Sequence, residues 1–296
     1  MSRGRLVNRL KKLKAALVEE SLRNPNAWSS ISIVGSKLLI DKAQGIRIEE
    51  DKRRVLESIA RYVKISTNKI NNLLDEMKDA LLSCGYNVRG VKIKALSRVI
   101  IGMSETFGKI PFEVGLSFDP FLNVPYIPGS SIKGAVRAGT FELLYNKKRK
   151  EGLSAEDARR YADSICQRIF GDKEYAGLIG FTDAYPVKEG ENRLLLYPDV
   201  MAPHYKDVET ELDVSPKPVI YLTIAPGTTF RFYLFYRKER GKRKLKEEYL
   251  AKEPTPEDVL GFLDQGLLYA FIKGVGAKTA LGYSIFSVEE YSEVKG

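Results

Sequence analysis

Residues Pro125–Tyr145, PYIPGSSIKGAVRAGTFELLY, set the reading of everything around them. Pro128-Gly129 makes a turn, and Ser130 or Ser131 can cap the helix that follows, which runs to about Tyr145. Ile132, Val136, Leu143 and Leu144 give that helix an inward face. Upstream, Leu96–Ile101 (LSRVII) and residues 111–118 (PFEVGLSF) read as strands. Downstream, residues 147–170 are polar and helical, opening on the basic block Lys147–Lys150, and Leu178–Asp183 is a short strand. Residues 219–224 and 228–237 make a hairpin around Pro226-Gly227, with Phe230, Phe232, Leu234 and Tyr236 alternating along its second strand. Thr255-Pro256-Glu257-Asp258 starts a helix with a cap, a proline at the first position and acid in the first turn. It runs to Lys273, and Gly274–Val288 (GVGAKTALGYSIFSV) leads into a last strand. Strands, helix, strands, helix, strand predicts an α+β fold: a ferredoxin-like (RRM-like) antiparallel sheet with helices on one face.

Working outward, 296 residues with 44% hydrophobic content are enough for a sizeable core. The domain reading is a helical, basic N-terminal region over 1–95 and a ferredoxin-like domain over 96–296. Residues 184–217, with Pro186, Pro198, Pro203 and Pro216, form an insertion without clear period. Within the first region, Leu6, Leu10, Leu13 and Leu17 recur at helical spacing, and further helices fall at 51–64 and about 68–82. A mean hydropathy of −0.24 and the lack of a long apolar run argue against a membrane span. No secretory signal is read at the start, because Arg9, Lys11 and Lys12 interrupt the leucines. Cys84 and Cys166 have no CxxC spacing, which suits a reducing cytoplasm and speaks against a zinc site or a disulfide framework. The single histidine, His204, excludes a multi-histidine metal centre. No cofactor or metal is expected.

Charge points to a partner. The chain carries +10, and its first 100 residues hold 21 basic against 10 acidic side chains, the remaining 196 holding 27 against 28. An excess confined to the first third suits a polyanion, in a cytoplasmic protein most often nucleic acid. Basic helices that only keep the protein soluble are the other reading.

Three constellations could carry chemistry. Gly129-Ser130-Ser131-Ile132-Lys133-Gly134-Ala135-Val136-Arg137 opens a helix, whose free N–H groups and partial positive charge favour an anion. Lys133 and Arg137 lie four apart on one face, a spacing that costs a few tenths of a kcal/mol unless something anionic sits between them; a capped helix with two solvated basic side chains is the plain alternative. Gly274, Gly276, Lys278, Thr279 and Gly282 form a loop that lets a backbone approach, with Lys278 and Thr279 placed to meet a phosphate. It is neither a dinucleotide fingerprint, since it follows a helix and precedes a strand, nor a P-loop, since Ala277 precedes Lys278. A helix-to-strand turn with no ligand is the plain alternative. His204, with Asp199 to orient it and Tyr205 beside it, could act as acid or base in metal-independent RNA cleavage, or be a hydrogen-bonded loop histidine. Asp183 and Asp199 lack the clustering that Mg²⁺ sites show. The 16 Tyr and 13 Phe include candidates for stacking on bases, although most will be core.

A strand pair, then Val124–Arg137 (VPYIPGSSIKGAVR), then Gly274–Tyr283 (GVGAKTALGY) resembles the repeat-associated RAMP proteins of CRISPR systems. Asp199–Tyr205 (DVMAPHY), with PVIYLTI at 218–224 and PGTTFRF at 226–232, looks most like the branch that forms the sixth subunit of type III-B (Cmr) RNA-silencing complexes. The resemblance runs over roughly 95–290. It implies a non-catalytic backbone subunit holding the guide RNA near its 3′ end, with target RNA reached through the guide. Other RAMP and small helical subunits would be its partners. By position it places Ser130, Ser131, Lys133 and Arg137 at the RNA-facing helix start and Gly274, Gly276, Lys278 and Gly282 in the glycine loop. The insertion would be a thumb. The rival is a metal-independent RAMP endoribonuclease that trims CRISPR precursor RNA and needs His204. A third reading is an assembly protein with no RNA affinity of its own.

Overall fold

The computed structural model describes residues 26–45, 49–174, 176–201, 218–237 and 256–294. In chain order its elements are α1 (Ala27–Ala43), α2 (Glu49–Tyr62), α3 (Thr67–Ser83), β1 (Asn87–Ala95), the single turn α4 (Lys109–Phe112), β2 (Phe118–Asp119), β3 (Val124–Pro125) and α5 (Gly129–Lys150). There follow α6 (Ala155–Phe170), β4 (Ile179–Phe181), β5 (Tyr185–Lys188), β6 (Leu196–Met201), β7 (Val219–Ile224), β8 (Thr229–Tyr236), α7 (Pro256–Lys273) and β9 (Phe286–Val294). They fall into two compact units. One comprises Met1–Ile65, Ile100–Pro125 and Glu189–Ala225, the other Ser66–Val99, Tyr126–Lys188 and Pro226–Gly296. The division does not follow residue 95: Ser66–Val99 goes with the sheet unit, and the described part of the expected insertion is shared between the two.

The sheet unit is an antiparallel sheet of order β4-β8-β1-β9, with β5 also pairing β8. Read along the chain as β1, α5, β4, β8, α7 and β9, this is the split βαβ arrangement of a ferredoxin-like fold. Alternation along β8 builds the core: Phe230, Phe232 and Leu234 are fully buried on one face. Phe271 of α7 packs against Phe232 with ring centroids 6.0 Å apart, and against Phe286 of β9 at 5.8 Å. α5 crosses α7 through glycine contacts. A Cβ on Gly139 would lie 2.9 Å from the Gly266 carbonyl oxygen, and one on Gly266 only 1.9 Å from Thr140 Oγ1. On the other face, α3 meets β8, where Arg231 lies 3.7 Å from Asp75.

In the other unit, β6 pairs β7 and β2 pairs β3, each as a two-stranded antiparallel ribbon. Trp28 of α1 stacks on Phe107, which stacks on Phe118. Asn26 precedes α1 and caps it, its Oδ1 accepting the Ser29 N–H at 2.9 Å.

Several expected elements differ. The strand expected at 96–101 lies earlier, at 87–95, where Val91, Ile93 and Ala95 alternate inward with Lys92 and Lys94 between them. Residues after Leu96 run beside the glycine loop instead, the Arg98 carbonyl accepting the Ser284 N–H at 2.8 Å. The strand expected at 111–118 is largely replaced by α4 and a left-handed Glu113, φ 69°, before β2. Helix 147–170 is two helices parted at Gly152, φ 93°. The hairpin over 219–237 does not form: β7 pairs β6, β8 pairs β1, and the chain changes sheets at Pro226-Gly227. Part of 184–201 is strand after all. Pro186 stands in β5, which pairs with β8 on one side, and Pro198 in the edge ribbon β6, the positions where a strand tolerates proline. Residues 1–25, with the Leu6–Leu17 helix, lie outside the described residues.

The two thiols have opposite surroundings. Cys84 is exposed, and Cys166 on α6 is buried, its thiol pushed up to about 12 chiefly by burial, which outweighs the opposing pull of Arg137. A neutral-thiol reagent should therefore modify one cysteine per native chain and two after denaturation. Because the folded pKa is the higher one, folding holds this proton more tightly. Stability from Cys166 is complete below the unfolded thiol pKa of about 8.5 and falls by up to about 1.4 kcal/mol per pH unit above it. Cys166→Ala should flatten that alkaline slope in chemical denaturation. An unchanged slope would contradict the burial of the thiol.

Candidate nucleic-acid interface

α5 starts from Pro128, whose φ of −57° and ψ of 134° aim the chain into the helix, so Gly129 is its first residue. The expected serine cap is absent: no side chain at the cap position bonds to the helix, and Ser130 and Ser131 are exposed in its first turn. The cap comes from elsewhere. Asp183, just past β4, accepts the Gly129 N–H on Oδ1 at 2.7 Å. A carboxylate thus occupies part of the positive helix end that the sequence reserves for a ligand anion. Gly129 is there for close approach, since a Cβ would sit 2.5 Å from the Phe181 carbonyl oxygen.

The two basic side chains near the start of this helix are differently placed from those at its end, where Lys148 pairs with Glu151 at 2.6 Å. Arg137 is exposed and Lys133 half-buried, one turn apart, and among the described residues neither has an ion-pair partner. Lys133 borders a cleft of about 240 Å³ formed by Tyr86, Phe235, Phe170, Asp172 and the Gly177–Gly180 backbone. Tyr86 and Phe235 are aromatic residues that the sequence does not single out. Their signal is weak: each stands close to a basic residue or a glycine, as most aromatics of this chain do.

The glycine loop is held by its own backbone. Gly274, Gly276 and Gly282 take φ of 110°, 139° and 84°, and Lys278 joins them in the left-handed region at 57°. The Lys278 carbonyl accepts the N–H groups of Leu281 and Tyr283, and the buried Val275 donates its N–H to Ser284 at 2.9 Å. Thr279 turns its methyl group towards Gly274, where a Cβ would be 2.6 Å away, so its side chain wedges the loop. Two apolar residues stand in solvent here, Ile272 at the end of α7 and Leu281 at the loop. Arg89 fixes the helix that delivers this loop. Its Nη1 donates to Asp264 Oδ1 of α7 and to the Tyr291 hydroxyl oxygen, each at 2.7 Å, and Tyr291 donates to Asp264 at 2.6 Å. Burial opposes the Arg89 charge, yet the hydrogen bond with Tyr291 and the Asp264 carboxylate hold its pKa above the ordinary value. Burial, then the bond to Asp264, pushes the Tyr291 phenol up.

α5 begins beside β4, whereas the loop feeds β9 at the opposite edge. His204 and Tyr205 lie outside the described residues. Asp199 accepts the N–H of its neighbour Val200 at 2.8 Å.

A family model described as the RAMP superfamily matches residues 92–287. The chain belongs to the RAMP superfamily. This RAMP protein is 34% identical over 262 residues to the CRISPR system CMR subunit Cmr6 of Saccharolobus solfataricus, a match covering 87% of this chain and 79% of that protein. It is 26% identical over 242 residues to the CRISPR system Cmr subunit Cmr6 of Pyrococcus furiosus, covering 65% of each. Among solved structures, a chain of the type III-B Cmr-beta assembly bound to cognate target RNA, seen by cryo-EM, matches with a TM-score of 0.71 at 32% identity. That match covers 95% of this chain and 96% of the other. The RAMP fold accounts for the sheet order and for the two helices, α5 and α7, that cross it on one face.

Proposed function

We propose that this RAMP protein is a non-catalytic subunit of a cytoplasmic type III-B CRISPR effector complex. It holds guide RNA near its 3′ end, among other RAMP and small helical subunits, and leaves the bases free to pair with target RNA in antiviral defence. The observation that carries this reading is the Lys133–Arg137 face of α5, two like charges a helical turn apart without ion-pair partners among the described residues. The likeness to two Cmr6 subunits and to a chain of a target-bound Cmr assembly supports it. Basic side chains of this kind position a phosphate backbone and read no sequence.

The test is RNA binding by the full chain over a salt series. Lys133→Ala with Arg137→Ala should weaken single-stranded RNA binding and flatten the slope of log affinity against log salt by about 1.4, or about 0.7 for each phosphate no longer neutralised. The effect should be the same for unrelated sequences. An unchanged slope would remove this face from the RNA path. Cleavage of CRISPR precursor RNA in EDTA that disappears in His204→Ala would overturn the non-catalytic assignment.

A further inference from the structure

We propose that the cleft beside Lys133 receives one unstacked base of a single-stranded RNA, on the aromatic pair Tyr86 and Phe235. The proposal rests on the RNA-binding reading above and adds a site to it. At about 240 Å³ the cleft is smaller than the roughly 300–1,000 Å³ of pockets for drug-sized ligands, and it suits a single flat ring.

Its walls offer what a base requires. Tyr86 and Phe235 meet edge to face, centroids 5.1 Å apart at 80°, and both line the cleft. Stacking on such a platform tolerates any base, because every base has a π-face. The Arg237 guanidinium lies over the Tyr86 ring, 4.4 Å from its centroid, and holds the ring's orientation while adding positive charge. Glycine lets the backbone of the β4 approach lie directly against the Phe235 ring and the end of α6, which fixes that ring in place. A Cβ on Gly180 would fall 2.2 Å from Phe235 Cζ, and one on Gly177 2.3 Å from the Phe170 carbonyl carbon. Asp172 lines the cleft, its Oδ1 accepting the Glu174 N–H at 2.9 Å, and brings a carboxylate beside it. Lys133 is the link to the chain's other chemistry, since it borders the cleft while lying one turn from Arg137. A backbone held by Arg137 and Lys133 passes the entrance, and a base turned inward reaches the rings.

The experiment irradiates the full chain with single-stranded RNA carrying one 5-iodouridine and maps the crosslinked peptides. Crosslinks at Tyr86 or Phe235 are expected. Tyr86→Leu should bind about 5- to 150-fold more weakly, the loss of one base–aromatic stack, and Tyr86→Phe, which puts a ring back, should restore most of that loss. Uridine monophosphate alone should compete poorly. Crosslinks confined to other residues, with Tyr86→Leu binding normally and Lys133 and Arg137 still required, would overturn the cleft and leave the RNA-binding reading standing. No RNA held even at low salt would overturn both. Uridine monophosphate binding as tightly as the oligomer would make the cleft a nucleotide site and overturn the proposal. The crosslink map is read on the unaltered protein, so it decides the matter even where a variant fails to fold.

Discussion

Phe271→Ala should destabilise the sheet unit by about 3–5 kcal/mol, the range for truncating a fully buried phenylalanine. The ring is wholly enclosed and touches two others, Phe232 on β8 and Phe286 on β9, so its removal opens a cavity against two strands at once. Neither strand can collapse into the space, because β1 lies between β8 and β9 and holds both in register. Denaturant unfolding should show a lower midpoint at unchanged slope. Phe271→Leu, which refills most of the volume, should cost much less. A loss below about 1 kcal/mol for the alanine variant would mean that α7 does not pack on the sheet as described.

Arg89→Ala should be comparably severe, about 3 kcal/mol or more, for a different reason. Taking away one partner of a desolvated pair leaves the other behind, and that orphaning outweighs the missing attraction. Here the abandoned groups are Asp264 on α7 and the Tyr291 hydroxyl. Asp264 keeps some access to water, which places the expected loss at the low end. The variant also forfeits the guanidinium packing on Tyr236 and Tyr291. Arg89→Met with Asp264→Leu restores apolar volume on both sides and should recover part of the stability, the Tyr291 hydroxyl being left without either partner. Thermal and denaturant unfolding of the unaltered protein, Arg89→Met, Asp264→Leu and the double variant measures the coupling, and strict additivity would show that the pair does not interact.

The sequence yields elements best where one period dominates. The helices at about 68–82 and from Ser130 to about Tyr145, and the strand at 228–237, are read from their periods and found there, the second helix continuing to Lys150. α1 is hard to read because Trp28-Ser29-Ser30-Ile31-Ser32-Ile33-Val34 mixes β-branched residues and serines, poor helix formers that Asn26 and burial of Ile31, Val34 and Leu38 nonetheless hold as helix. β1 is hidden for the opposite reason. Its inward side contains Arg89, a charge that only the long-range partners Asp264 and Tyr291 make tolerable. Pairing is the hardest property to read. Residues 219–237 have every local mark of a hairpin, yet each strand finds a better partner more than a hundred residues away or across a proline-rich excursion. The candidate site divides in the same way. Lys133 and Arg137 are legible from spacing alone, whereas Asp183 and Tyr86 reach α5 and its cleft only through the fold.

The order of the strands has a consequence of scale. α5 departs from the β4 edge and the glycine loop arrives at β9, three inter-strand gaps away, or about 14 Å at 4.8 Å each. The sheet therefore works as a gauge. Under the RNA-binding reading proposed above, with both segments touching the strand, only a continuous strand long enough to bridge the gap gains the second attachment, and it gains it at the high effective concentration of a tethered end. A protein built this way would sort its ligands by length and continuity, with no need to inspect a single letter.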